Sequence, residues 1–196
     1  METQTEAPVS RHATKVLRST VTRALAGAAI CAGLLLPFPA VAADEATDAV
    51  CTVSAHVRHR PGYLLTTTTQ GAFASTEESS VSCVGRFGGE DLSPEPGALS
   101  MHGTYEGTCL NATGEGRIRI EVRTVDGGRL VLQGPLKVQR SGFVLVGSGQ
   151  LDKVPFELTF AGGPDPAHPA EDCVTKPLDH VIGAGTITIN GSGAES

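Results

Sequence analysis

Between Leu99 and Cys109, Leu99, Met101, Gly103, Tyr105, Gly107 and Cys109 take the odd positions, and Ser100, His102, Thr104, Glu106 and Thr108 fall between them. A period of two sends the odd side chains to one face of a strand and the even ones to the other, whereas a helix would scatter both sets. The stretch therefore predicts a long antiparallel strand with a dry face and a wet face, closed by a cysteine.

The same alternation recurs along the chain. Cys51, Val53, Ala55 and Val57 alternate with Thr52, Ser54, His56 and Arg58, and Val81 and Cys83 make a second inward row. Further rows are Ile118, Ile120 and Val122; Leu130, Leu132, Leu136 and Val138; Phe156, Leu158 and Phe160; and Ile187 with Ile189. Turn chemistry separates them at His59-Arg60-Pro61-Gly62, Asn111–Gly114, Asp126-Gly127-Gly128 and Ser141-Gly142. A strand is expected over 64–74, surface loops over 86–97 and 161–178, and a bulge or edge at Pro135. No window beyond the N-terminal segment has a helical period.

The pattern gives an all-β fold, a single antiparallel β-barrel of about eight or nine strands, with a two-sheet β-sandwich as the alternative. Glycines that keep falling on the inward face (103, 107, 134, 147, 149, 183 and 185) favour closure, because they let strands bend around a small barrel. They also remove side-chain volume, so the interior is expected to be partly open at one end.

The first residues have the order of an export signal. Arg11, Lys15, Arg18 and Arg23 precede an apolar run from Ala24 to Leu36, and Ala40-Val41-Ala42 offers a small-x-small cleavage site. The run is shorter than the roughly 20 residues that span a bilayer core. The expected organisation is a signal peptide over 1–42, a flexible leader over 43–49, the barrel over 50–190 and a flexible tail over 191–196. The full chain carries 15 basic and 21 acidic residues; losing four basic and two acidic residues with the signal takes the net charge from −6 to −8. Such a surface repels phosphate backbones and anionic lipid, which argues against nucleic acid and against a membrane after cleavage.

Cys51, Cys83, Cys109 and Cys173 remain beyond the signal, and none is spaced as Cys-x-x-Cys. An even set in an exported chain reads as a disulfide framework. Cys51 and Cys83 sit on inward rows of early strands, while Cys109 ends a strand and Cys173 anchors the long loop. The expected pairs are Cys51–Cys83 and Cys109–Cys173.

Chemistry is sparsely written. Asp165, His168, Glu171 and Asp172, followed by Asp179 and His180, offer oxygen and nitrogen donors that match neither an EF-hand nor His-Glu-x-x-His spacing. They are candidate metal ligands, weighed against an acidic, proline-stiffened loop. His56, Arg58, His59 and Arg60 are either an anion site or the wet end of a strand. His102 and Glu106 share a face about 13 Å apart, too far for an acid–base pair. There is no nucleophile elbow and no phosphate loop, and the pattern calls for no cofactor. Met101, Tyr105, Gly107, Phe143 and Phe156 lie on inward rows and are the candidate ligand-binding residues.

The segment Gly103–Cys109 with the later Glu171–Leu178 resembles exported β-barrel proteins of high-GC Gram-positive bacteria, and the strand count resembles lipocalin-like and allene-oxide-cyclase-like barrels. The resemblance implies architecture alone and places no functional residue. The expected protein is a secreted monomer, a non-catalytic binding or interaction module for a small apolar ligand or an extracellular protein. The alternatives are a barrel enzyme of the cyclase or isomerase kind, and an extracellular inhibitor presenting the 161–178 loop.

Overall fold

The computed structural model describes residues 47–191, and within them the chain forms strands and no α-helix. There are ten: β1 (Asp48–Tyr63), β2 (Thr69–Ser75), β3 (Ser80–Phe87), β4 (Glu90–Leu92), β5 (Gly97–Gly107), β6 (Asn111–Arg123), β7 (Arg129–Ser141), β8 (Val144–Leu151), β9 (Val154–Pro164) and β10 (Leu178–Asn190). All pairings are antiparallel, and pairing of β10 with β1 closes a barrel-like ring of eight strands, β1-β2-β5-β6-β7-β8-β9-β10. The place between β1 and β5 is shared. β3 covers the Asp48–Ser54 half of β1, β2 covers its Val57–Arg60 part, and both reach β5. The expected signal peptide lies outside the described residues.

Several sequence-based boundaries shift for physical reasons. β1 does not turn at His59–Gly62 but runs on to Tyr63, with its register against β10 broken between Arg58 and Tyr63. Pro61 sits in that break, where no ladder hydrogen bond needs its missing N–H. Asp48 and Ala49, expected in the flexible leader, already pair with Asn190 and Ile189, and Ala49 is buried. β2 starts only at Thr69, because Thr66–Thr68 have no apolar row to bury. The 86–97 loop contains the short β4, whose Leu92 joins Phe87 in the core. β9 extends to Pro164, so the long loop is 165–177.

Pro135 does not bulge β7. The β7–β8 ladder stops at Leu136–Gly149 and is taken up again by the Asp152 N–H to the Gln133 carbonyl at 3.0 Å, in the same register. The proline costs one ladder bond and the strand passes through it.

The interior is polarised along the ring axis. At one end Ile118, Ile120, Leu132, Leu136 and Leu151 are at most 1% exposed. Each such side chain contributes roughly 1.5–3 kcal/mol by burial. Cys51 and Cys83, directly opposed on β1 and β3, form a disulfide in this end, Cα–Cα 3.9 Å. Smaller and aromatic residues fill the other end: Tyr63, Phe73, Tyr105, Ala112, Leu178 and Val181 form a second cluster. There Gly162 and Gly183 pair across β9 and β10, and a Cβ on either would stand under 3 Å from the Phe160 ring. The glycines are what admit that ring. The second disulfide, Cys109–Cys173, ties the β5–β6 turn to the 165–177 loop over this end, Cα–Cα 6.3 Å. Backbone bonds from Cys109 to Leu64 (3.0 Å) and from Leu65 to Cys173 (2.9 Å) stitch in the β1–β2 connection.

A polar cluster in an apolar cavity

Beneath that stapled end lies a cavity of about 70 Å³. Its walls are mainly apolar, with Val57, Leu99, Met101, Leu145, Leu158 and Phe160 among them, and four polar side chains join them: His59, Tyr63, Tyr105 and Arg140. Strand parity explains each arrival. His59 continues the inward row Cys51, Val53, Ala55, Val57 on β1, and Arg140 continues Leu132, Leu136, Val138 on β7. Tyr105 follows Leu99 and Met101 on β5, and Tyr63 enters from the irregular end of β1.

The polar groups are packed against one another. The His59 ring lies 4.6 Å from that of Tyr63 and edge-on to Tyr105 at 5.3 Å; the two tyrosine rings are 4.4 Å apart. The Arg140 guanidinium stands over the Tyr63 ring at 5.0 Å, and its Nε–H donates to the Gly142 carbonyl at 2.7 Å. His59 Nδ1 and the Tyr105 hydroxyl, in residues only 8% and 5% exposed, have no hydrogen-bond partner. A buried polar atom left unmatched costs about 1–3 kcal/mol.

Burial sets the protonation states. It pushes the His59 imidazole down to about 3, helped by the Arg140 cation and opposed by the Asp179 backbone, so the ring is neutral across the physiological range. The Tyr63 phenol is pushed up to about 12 by burial, against the pull of Arg140. Burial also raises Tyr105 and lowers Arg140, although a guanidinium stays charged at any ordinary pH.

Of the five candidate ligand-binding residues, Met101, Tyr105 and Phe143 line this cavity; Phe143, 65% exposed, stands at its lip. Phe156 does not, because it packs in the closed end. Gly107 does not either: its φ of +152° belongs to the end of β5, and a Cβ there would strike the backbone of Asn111 and Ala112. The basic group at 56–60 divides. His59 points inward, Arg58 and Arg60 stay outside, and His56 meets Glu78 at 3.1 Å.

The candidate metal ligands divide as well. Asp172 accepts from the N–H groups of Val174, Thr175 and Lys176 and from the Thr175 hydroxyl, which hold its carboxyl down at about 2 and tie it to its own turn. Asp165 accepts from the Ala167 N–H at 2.9 Å and lies 3.4 Å from His168. His168 and Glu171 do converge, together with His180, their donor atoms lying within 4.8 Å of one another. Both His180 nitrogens are already used: Nε2 accepts from Arg58 Nε at 3.0 Å, so Nδ1 carries the proton that meets Glu171 at 2.8 Å. The rings of His168 and His180 stack 3.7 Å apart at 6°, a geometry in which one ion cannot lie in both ring planes. Glu171 also accepts the N–H groups of Asp179 and His180 at 3.0 and 2.8 Å. The cluster works as a latch that fastens the 165–177 loop to the start of β10.

A larger hollow, about 1190 Å³, lies on the outer wall over β5–β9. It is open, with Thr104, Glu106, Glu115 and Lys137 along it; Tyr105 borders it as well, but His59, Tyr63 and Arg140 do not. The chemistry is in the smaller cavity. Comparison with family models, curated proteins and solved structures finds no match to this chain.

Proposed function

We propose that this is a secreted binding protein which holds one small apolar ligand at the stapled end of its ring. The observation that carries the reading is the cavity itself: apolar walls around two buried polar atoms that lack partners. A mainly apolar ligand filling it removes apolar surface from water, and a polar end on that ligand supplies the missing hydrogen bonds, the usual composition of a small-molecule site. Two disulfides fit an oxidising compartment, and among the described residues no helix is long and apolar enough to cross a membrane. The signal-like order of residues 11–42 supports export.

The rival reading, a cyclase- or isomerase-like enzyme, draws on the same His59, Tyr63 and Tyr105. Acid–base catalysis works best with a pKa near the operating pH. An imidazole near 3 and a phenol near 12 are a weak base and a weak acid at neutrality, which favours binding over proton transfer.

The test is a titration of the folded protein with 1-butanol followed by amide NMR. Saturable shifts confined to Val57, Leu99, Met101, Tyr105 and Leu145 are expected. Absent shifts, or shifts spread over the outer wall, contradict the reading.

A further inference from the structure

The cavity contains a cation without an anion. Arg140 is 8% exposed and, among the described residues, forms no ion pair. Buried charges are ordinarily paired, because removing one from water is costly unless an opposite charge compensates. Here the compensation is partial: the face of Tyr63, its hydroxyl, and one carbonyl on Nε. That carbonyl bond is also informative. It uses the inner N–H of the guanidinium and fixes the plane, leaving the terminal amino groups with no carboxylate to fork.

Two more unmatched groups face the same space, His59 Nδ1 and the Tyr105 hydroxyl. Both are neutral, so Arg140 is the one full charge among the four polar residues of the cavity. A bare inorganic anion would satisfy the charge and leave Val57, Leu99 and Leu158 wet. A wholly apolar molecule would cover those walls and leave the cation unmatched.

Resting on the binding reading above, we propose that the ligand class is a short-chain carboxylate, its head held by the terminal amino groups of Arg140 with Tyr105 as a second donor, and its chain against the apolar wall. Planar carboxylates are what the guanidinium fork fits best. The size follows from the volume. About 70 Å³ is less than half of an engineered apolar cavity of about 150 Å³ that takes benzene, so only a few carbons fit.

The experiment is calorimetric titration of the folded protein with butyrate and, separately, with butyramide, which has the same shape and no charge. Butyrate is expected to bind at least ten-fold more tightly, and Arg140→Met is expected to bring the two within about two-fold of each other. Tyr105→Phe should weaken butyrate several-fold while leaving the Arg140 preference in place. Equal affinities for butyrate and butyramide in the unmutated protein overturn the inference, and that comparison stands even where Arg140→Met does not fold. Inorganic phosphate binding as tightly as butyrate also overturns it, in favour of a bare anion site. If 1-butanol binds in the cavity and butyrate does not, this inference alone falls; if neither binds, the binding reading falls with it.

Discussion

Shortening one side chain at each end of the ring should give very different costs. Leu132 is 0% exposed in the closed end, among Ile118, Ile120 and Leu151. Leu132→Ala removes three carbons from a site walled by neighbouring strands that cannot collapse into the gap. The expected loss is about 3–5 kcal/mol, the transfer free energy of those carbons plus a cavity contribution. Met101→Ala at the other end removes a half-buried chain that already borders the 70 Å³ cavity. Its void merges with space that is already open, so mostly the transfer part remains, about 1–2 kcal/mol. Unfolding entropy of about 2.1 cal/mol/K per residue over residues 47–191 makes 1 kcal/mol worth about 3 °C. Leu132→Ala should therefore lower Tm by about 10–15 °C and Met101→Ala by about 3–6 °C in differential scanning calorimetry. Equal shifts for the two variants would mean that the ends are filled alike, and the polarised interior would be refuted.

Other consequences are as direct. Because folding depresses the His59 pKa from 6.5 to about 3, the unfolded chain binds a proton that the folded one refuses; stability is full above 6.5 and declines as pH falls toward 3, by as much as about 4 kcal/mol. His59→Leu should flatten that decline in urea titrations at pH 7, 5 and 4, and an unchanged slope would clear His59 of it. Peptide mapping without reduction should recover Cys51 joined to Cys83 and Cys109 to Cys173; a fragment joining Cys51 to Cys173 contradicts the structure. Removing the longer closure, a sequence separation of 64, should cost about 4 kcal/mol in the chain-entropy account. Glu171→Ala should speed hydrogen exchange at the Asp179 and His180 amides at least ten-fold while leaving Ile187 protected, and equal protection at all three would remove the latch.

The architecture was legible because alternation is a short-range consequence of the strand, visible in rows such as Leu99–Cys109. Closure into a ring was legible less directly, through glycines whose value shows only when another strand lies against them. The disulfide pairs followed from placing the cysteines on rows and loops. What was missed is instructive, since part of it lay in the same pattern. Arg140 has the parity of Leu136 and Val138, and His59 that of Ala55 and Val57, so each is a charged or polar residue on a dry row. Pro61-Gly62 concealed His59, because a proline normally ends a strand and here it sits in a gap of the ladder. Tyr63 left no such signal, and His180, though named among the donors, gave no sign of the contact it makes with Glu171. Their positions depend on the register break of β1 and on Glu171 reaching back to β10, both tertiary facts. Phe156 and Gly107 show the converse limit: parity tells which face a residue takes, and not which end of the ring it fills.

Xenon pressurisation of a crystal tests the central claim most directly, because xenon enters small dry voids and little else. The expected result is one interior peak, between Val57, Leu99, Met101, Tyr105 and Leu158, beside the Arg140 guanidinium. An interior without xenon, or a peak among Ile120, Leu132 and Leu151 instead, would contradict a ligand cavity at the stapled end.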